Sequence, residues 1–149
     1  MIQADNGIFI LSTNHTTYAF RTLPTGQLEH LYYGRKITVR DLSEEGIAPL
    51  TEKHAFQPGN SCIYDQEHPE YTLEDLCLEM SSYGKGDIRE PFVELIYEDG
   101  SFTSDFVFEK AAVTAGKEAV KEGLPGSYGT EEEVEHLQIF LKDQNSQLK

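Results

Sequence analysis

Carboxylates and histidines are the side chains of this sequence best suited to chemistry. Asp and Glu number 26 against 12 Lys and Arg, so an acid and base pair of the kind that hydrolyses glycosidic bonds can be drawn many ways. Such a pair needs two carboxyl groups roughly 5 Å apart across the sugar, and no spacing in the chain selects one pair over another. His15, His30, His54, His68 and His136 are scattered singly, which suits surface or packing roles better than a base or a ligand. Cys62 and Cys77 lie in no CxxC or Cys/His group of metal-ligand spacing, so no metal is expected. No GxSxG elbow, Walker A loop, HExxH helix or dinucleotide fingerprint occurs either, and no cofactor is expected.

The densest concentration of special residues is SSYGKGDIREPF, positions 81 to 92. Its YGKGD core lacks the third glycine and the following helix that a phosphate cradle requires. A structural turn is the better reading. Gly84 and Gly86 permit a tight bend, Asp87 can cap it, and Arg89 can fork onto a carboxylate before Pro91 opens an edge. Glycines and charges together would then build a rigid crossover between a loop and a strand; direct ligand contact is the alternative.

The elements that must hold these residues are β-prone runs separated by turn residues, the pattern of an all-β antiparallel sandwich. GIFILS, TTYAFRTL and QLEHLYY predict a three-stranded meander over residues 7 to 33, with PTG at 24 to 26 as one turn and both faces partly apolar. From 40 to 72 the periodicity disappears over a long loop with three prolines and two glycines. Loops of that length are usually lids, binding loops or subunit contacts. Phe56, Ile63, Tyr64 and Tyr71 are apolar enough to pack, which favours an ordered loop over a disordered insertion. Thr72 and Asp75 resemble a capping box for a short helix, LEDLCLEM, whose Leu73, Leu76, Cys77 and Met80 spacing predicts a buried Cys77 thiol. The two cysteines could pair, but nothing requires it. FVELIYEDGSFTSDFVFEKAAV reads as a β-hairpin turning at Asp99-Gly100. VEHLQIFLK is a last strand that needs an earlier strand, or a further part of a larger protein, to cover its edge.

A length of 149 residues suits a single domain, 1 to 149, with a moderate core. The formal net charge of −14 repels phosphate backbones and anionic lipid, so neither nucleic acid nor membrane is an expected partner. The bland reading of the acidity is solubility. No leader or membrane-spanning stretch is visible, and the chain reads as cytoplasmic.

GQLEHLYYG, LEMSSYGKGDIREPF, DGS and GLPGSY occur in this order, and on them the chain resembles the N-terminal β domain of the α-galactosidases of glycoside hydrolase family 36, from about Ile8 to Leu148. The resemblance implies a retaining glycosidase in three parts: an N-terminal β-supersandwich, a (β/α)8 barrel and a small C-terminal β domain. Its two catalytic aspartates belong to barrel strands, so no catalytic residue carries over to this chain. The absence of Trp agrees, since tryptophans of the barrel line part of the family's sugar site. The resemblance also implies a homo-oligomer, a tetramer, in which a loop of this domain reaches toward a neighbour's active site.

Residues 40 to 72 are the counterpart of that loop. The resemblance implies that some relatives carry an aspartate shortly before a basic-Ala-Phe triplet, and an arginine about a dozen positions later, both touching sugar. Here the triplet is His54, Ala55 and Phe56, Lys53 stands near the place of the aspartate, and no arginine follows before Arg89. Glu52, Lys53 and Asp65 are the substitutes, and Lys53 and Asp65 are the expected accessory contacts.

The expected function is therefore that of a non-catalytic N-terminal domain, inactive alone, of an enzyme that cleaves terminal α-galactosides such as melibiose and raffinose. Its role would be structural and oligomerising. A free-standing carbohydrate-binding β-sandwich, stacking sugar on Tyr32, Tyr33, Tyr64 or Tyr83, is the alternative, and the lack of Trp counts against it. A structural subunit with no ligand is a third.

Overall fold

The computed structural model describes residues 1–51, 62–117, 129–130 and 133–146. Its elements are β1 (Ile2–Asp5), β2 (Ile8–Ser12), β3 (Thr16–Thr22), β4 (Leu28–Arg35), α1 (Glu44–Thr51), a 3-10 turn at Leu73–Asp75, β5 (Phe106–Ala115) and β6 (Glu135–Asp143). The first four strands form one antiparallel sheet in chain order, and β5 and β6 form a second antiparallel pair. The fold class matches the all-β, antiparallel sandwich that the sequence predicts.

Local chemistry explains the first sheet. Asn6 and Gly7 both adopt positive φ, 51° and 73°, the conformation that lets a two-residue turn follow the strand twist. That turn sets Asp5 opposite Ile8 and adds β1 to the front of the predicted three-stranded meander. Between β3 and β4 the predicted PTG turn is closed by Leu23 N–H to the Gln27 carbonyl at 2.8 Å and Gly26 N–H to the Leu23 carbonyl at 2.8 Å.

Period-2 alternation then sorts the side chains. Phe9, Phe20 and Leu28 pack with Phe108, Ala111, Leu137, Ile139 and Leu141 of the β5-β6 pair. Ile8, Ile10, Ala19 and Leu31 face the other way, onto Ile47 of α1 and onto Val39, Leu42 and Leu50. The central sheet is thus covered on both faces, which is why Ile8, Phe9 and Ile10 are consecutively buried. Each large side chain so buried contributes on the order of 2 kcal/mol.

Three local expectations are corrected. The α-helix lies at 44 to 51, inside the stretch read as a long loop, with Ser43 as its cap: the Gly46 N–H donates to the Ser43 Oγ at 3.2 Å. LEDLCLEM forms only the 3-10 turn at Leu73–Asp75, and Thr72 makes no side-chain cap bond. Residues beyond that turn run extended along the edge of β4, with His30 N–H to the Cys77 carbonyl at 2.6 Å and Glu79 N–H to the Leu28 carbonyl at 2.9 Å. In extended chain neighbours point to opposite sides, so Leu76 is buried and Cys77 is exposed. Finally, the Asp99-Gly100 turn is made, but its flanks do not form the predicted ladder. Residues 106 to 115 pair with β6 instead, which supplies the cover that the last strand needs.

Candidate functional site

Between β4 and β5 in the chain, the 81 to 92 crossover is built around Arg89. Its Nε donates to Asp87 Oδ1 at 2.8 Å and its Nη2 to Asp87 Oδ2 at 2.9 Å, a two-pronged grip on a carboxylate with no exposed side-chain surface. The remaining donors reach the carbonyls of Leu73, at 2.7 Å, and Leu76. One guanidinium therefore ties the turn to the 3-10 segment. Gly84 and Gly86 sit at φ 87° and 86°. A Cβ on Gly84 would also lie 2.5 Å from the Thr103 Oγ1, so this turn tolerates no side chain there.

Lys85, in the same crossover, faces Tyr64 and Asp105. Its Nζ is 4.8 Å from the centre of the Tyr64 ring and 3.6 Å from Asp105 Oδ2. Asp105 is buried and also accepts from the Tyr64 hydroxyl and from Gln27 Nε2, each at 2.8 Å. Burial raises the Tyr64 phenol most; the Gln27 bond opposes this, the Asp105 carboxylate adds to it, and the result is about 12. The Asp105 N–H donates in turn to Asp143 Oδ1 at 2.7 Å, and the Tyr97 hydroxyl to Asp143 Oδ2 at 2.8 Å.

Two buried carboxylates in one network invite comparison with a catalytic pair, and their contacts argue otherwise. Burial pushes the Asp143 carboxyl up, but bonds from Ser146, the Asp105 N–H, Tyr97 and the Asn145 N–H outweigh it and hold the group below its ordinary range. An acid or base for neutral solution needs the opposite tuning. A group held low in the folded state stabilises above its unfolded pKa and loses that contribution as pH falls through the folded one. Asp143→Asn is therefore expected to cost about 2 kcal/mol at neutral pH and to flatten the acid limb of a thermal-unfolding series taken below about pH 5. An unchanged acid limb would mean that Asp143 does not carry this dependence.

Asp65 is placed in a turn of its own. Its Oδ1 accepts from the N–H groups of Glu67, at 2.9 Å, and His68, at 2.7 Å, with the His68 ring 3.0 Å away. Desolvation pushes its pKa up, and these bonds pull it below the ordinary carboxylate value. Lys53, Glu52 and the His54, Ala55, Phe56 triplet lie outside the described residues.

Elsewhere, His30 Nδ1 meets Glu79 Oε1 at 2.7 Å, and the Tyr18 hydroxyl donates to Glu79 Oε2. Sequence reasoning passed over this Tyr18, His30 and Glu79 cluster, because its members are 61 residues apart at the extreme and meet only when residues 77 to 79 dock on β4. Among the described residues, no group of three His, Cys, Asp or Glu side chains is arranged to hold a metal ion. No helix there is long and apolar enough to cross a membrane.

The four candidate stacking tyrosines do not form one platform. Tyr32 packs on the α1 side of the sheet, while its neighbour Tyr33, 71% exposed, stands edge-on to Tyr18 of the opposite cluster. Tyr64 lies under Lys85, and Tyr83 meets Phe102 edge-on.

Two antiparallel sheets, with the Arg89–Asp87 crossover and the Gln27–Asp105–Asp143 network between their strands in the chain, define an all-β domain. The sequence profile of the glycosyl hydrolase family 36 N-terminal domain matches residues 26–149, and the chain belongs to that family. It is 34% identical over 142 residues to the bifunctional α-galactosidase/sucrose kinase AgaSK of Mediterraneibacter gnavus, covering 95% of this chain and 14% of the relative. It is 30% identical over 136 residues to the α-galactosidase AgaA of Geobacillus stearothermophilus, covering 91% of this chain and 18% of the relative. The solved galactosidase domain of AgaSK superimposes with a TM-score of 0.76 at 29% identity, over 97% of this chain and 20% of that one. A variant of the Geobacillus enzyme in complex with raffinose gives 0.71 at 27% identity, over 91% of this chain and 18% of that one. The chain thus spans under a fifth of the length of the two curated relatives.

Proposed function

We propose that this chain is the non-catalytic N-terminal domain of an α-galactosidase whose full-length form hydrolyses terminal α-galactosides such as melibiose and raffinose. The observation that carries the reading is the family match across residues 26–149, on a chain that spans 14% and 18% of two α-galactosidase relatives. The raffinose complex of one relative supports the substrate class. The domain's work is structural: it presents a rigid sandwich to the rest of the enzyme, and Gly84, Gly86, Asp87 and Arg89 lock the crossover within it. The enzyme works in the cytoplasm as a homo-oligomer, a tetramer, and an arm within residues 40 to 72, beyond the helix α1 that packs on this domain's own sheet, reaches toward a neighbouring subunit.

Kinetics of the full-length protein test the arm. If it helps to close the neighbour's sugar pocket, replacing Lys53 and Asp65 by Ala raises KM for small α-galactosides about fivefold with kcat held. That corresponds to loss of one exposed hydrogen bond worth about 1 kcal/mol equally in ground and transition states. If it only assembles subunits, Phe56→Ala shifts the oligomer toward smaller species in light scattering and leaves KM alone. Unchanged kinetics with an unchanged oligomer remove both roles.

A further inference from the structure

Asp65 stands at the start of a loop that closes on itself. The Tyr64 N–H donates to the Tyr71 carbonyl at 2.9 Å and the Tyr71 N–H to the His68 carbonyl at 3.1 Å. Residues 64 to 71 therefore leave the domain and return to it at one point, the form of a compact surface loop. Inside the loop, Asp65 Oδ1 accepts from the N–H groups of Glu67 and His68. The side chain is still 38% exposed, and among the described residues Oδ2 meets the His68 Nδ1 alone, at 3.2 Å. A carboxylate held in this way keeps accepting capacity for a hydroxyl group from outside.

Such a contact gains from being fixed in advance, because ordering a free side chain costs about as much as one exposed hydrogen bond returns. The root of the loop supplies that fixation. The Tyr64 and Tyr71 rings pack together with Leu23, Leu73 and Leu76, and Lys85 covers the Tyr64 ring. The Tyr64 hydroxyl donates to Asp105 Oδ2 at 2.8 Å. Asp105 is buried and is held in turn by Gln27 Nε2 and, through its own N–H, by Asp143. One hydrogen bond thus ties the residue beside Asp65 to the head of β5, 41 positions away.

We propose that the Tyr64 hydroxyl and Asp105 form a latch that positions Asp65 to accept a hydrogen bond from a hydroxyl group of the galactoside. Tyr64 is then a positioning residue for substrate binding and does not touch sugar itself, since its ring lies under Lys85 and its hydroxyl is spent on Asp105. The proposal rests on the reading above that Asp65 is an accessory sugar contact. The latch acts on binding and leaves the chemical step alone, because Asp65 meets the sugar equally in the ground and transition states.

Steady-state kinetics of the full-length protein on raffinose test it, with Tyr97→Phe as the matched control. Tyr97 also donates its hydroxyl to a buried carboxylate of this network at 2.8 Å, Asp143, but it lies outside the loop. Tyr64→Phe is expected to raise KM about two- to threefold with kcat held, as Asp65→Ala does. The double variant should raise KM no further than either change alone, since two residues that act through one contact are not additive. Tyr97→Phe should leave KM in place. Hydrogen exchange gives a readout independent of turnover: the Glu67 and His68 amides, which bond to Asp65, should exchange about tenfold faster in Tyr64→Phe and at their original rate in Tyr97→Phe. Equal rises in KM for the two Tyr→Phe variants, or effects that multiply in the double variant, would overturn the latch and leave Asp65 as a contact. An unchanged KM or unchanged exchange in Tyr64→Phe, beside a raised KM in Asp65→Ala, would do the same. An unchanged KM in Asp65→Ala would overturn the latch together with the accessory-contact reading.

Discussion

Arg89→Lys is expected to lower the thermal midpoint of this chain by about 5–10 °C, the shift that about 2–3 kcal/mol produces in a domain of this size. Lysine keeps the charge and loses the fork. The guanidinium holds both oxygens of a buried Asp87 and two backbone carbonyls at once, and an ammonium can replace at most part of that set. Breaking a buried pair outright costs more, about 3–5 kcal/mol; retention of the charge and the 38% exposure of the Arg89 side chain reduce the figure. Lys85→Ala is the matched control. Its Nζ stands 3.6 Å from Asp105, which keeps Tyr64 and Gln27 as donors, so the loss is about 1 kcal/mol or less. If Lys85→Ala lowers the midpoint more than Arg89→Lys, Lys85 has a role that its contacts here do not explain.

The second large effect is the absence of turnover. A complete glycosidase accelerates its reaction by at least about 10⁶-fold, and a retaining one does so with two carboxyl groups roughly 5 Å apart, one as nucleophile and one as acid and base. Among the described residues, Asp105 and Asp143 are two linked buried carboxylates, and both spend their oxygens on internal donors. Glu79 is likewise engaged, by Tyr18 and His30. The 149-residue chain, free of host enzyme, should therefore leave a chromogenic α-galactoside at its rate in buffer. Turnover well above that rate would place catalytic groups in this domain.

Strand-forming runs with period-2 alternation were legible because the sandwich imposes that period locally: β2, β3 and β4 fall where GIFILS, TTYAFRTL and QLEHLYY stand. The helix at 44 to 51 was not. Gly46 and Pro49 weaken its pattern, and its stability comes from burying Ile47 against the sheet, a tertiary contact with no local signature. Cys77 misled for the converse reason, since helical spacing over 73 to 80 was overridden by pairing with the β4 edge. The hairpin at 92 to 113 failed in only one half. Asp99 and Gly100 make their turn on local chemistry, but which strand pairs with 106 to 115 is decided some thirty residues downstream.

Turn chemistry at the crossover was readable for the same local reason. Gly84 and Gly86 take the positive φ that glycine permits, and Asp87 and Arg89 are close enough in sequence to meet. The anchoring of Arg89 to the Leu73 and Leu76 carbonyls was not, because nothing in the residue types says which carbonyls a guanidinium will find. The buried network from Gln27 through Asp105 to Asp143 spans most of the chain and escaped for that reason.

Intact mass of the natural protein, purified on α-galactosidase activity, tests the central claim most directly. The activity is expected to travel with one polypeptide that contains this sequence in its N-terminal part and is several times heavier than 16.8 kDa. A natural polypeptide of 16.8 kDa carrying this sequence alone would contradict it.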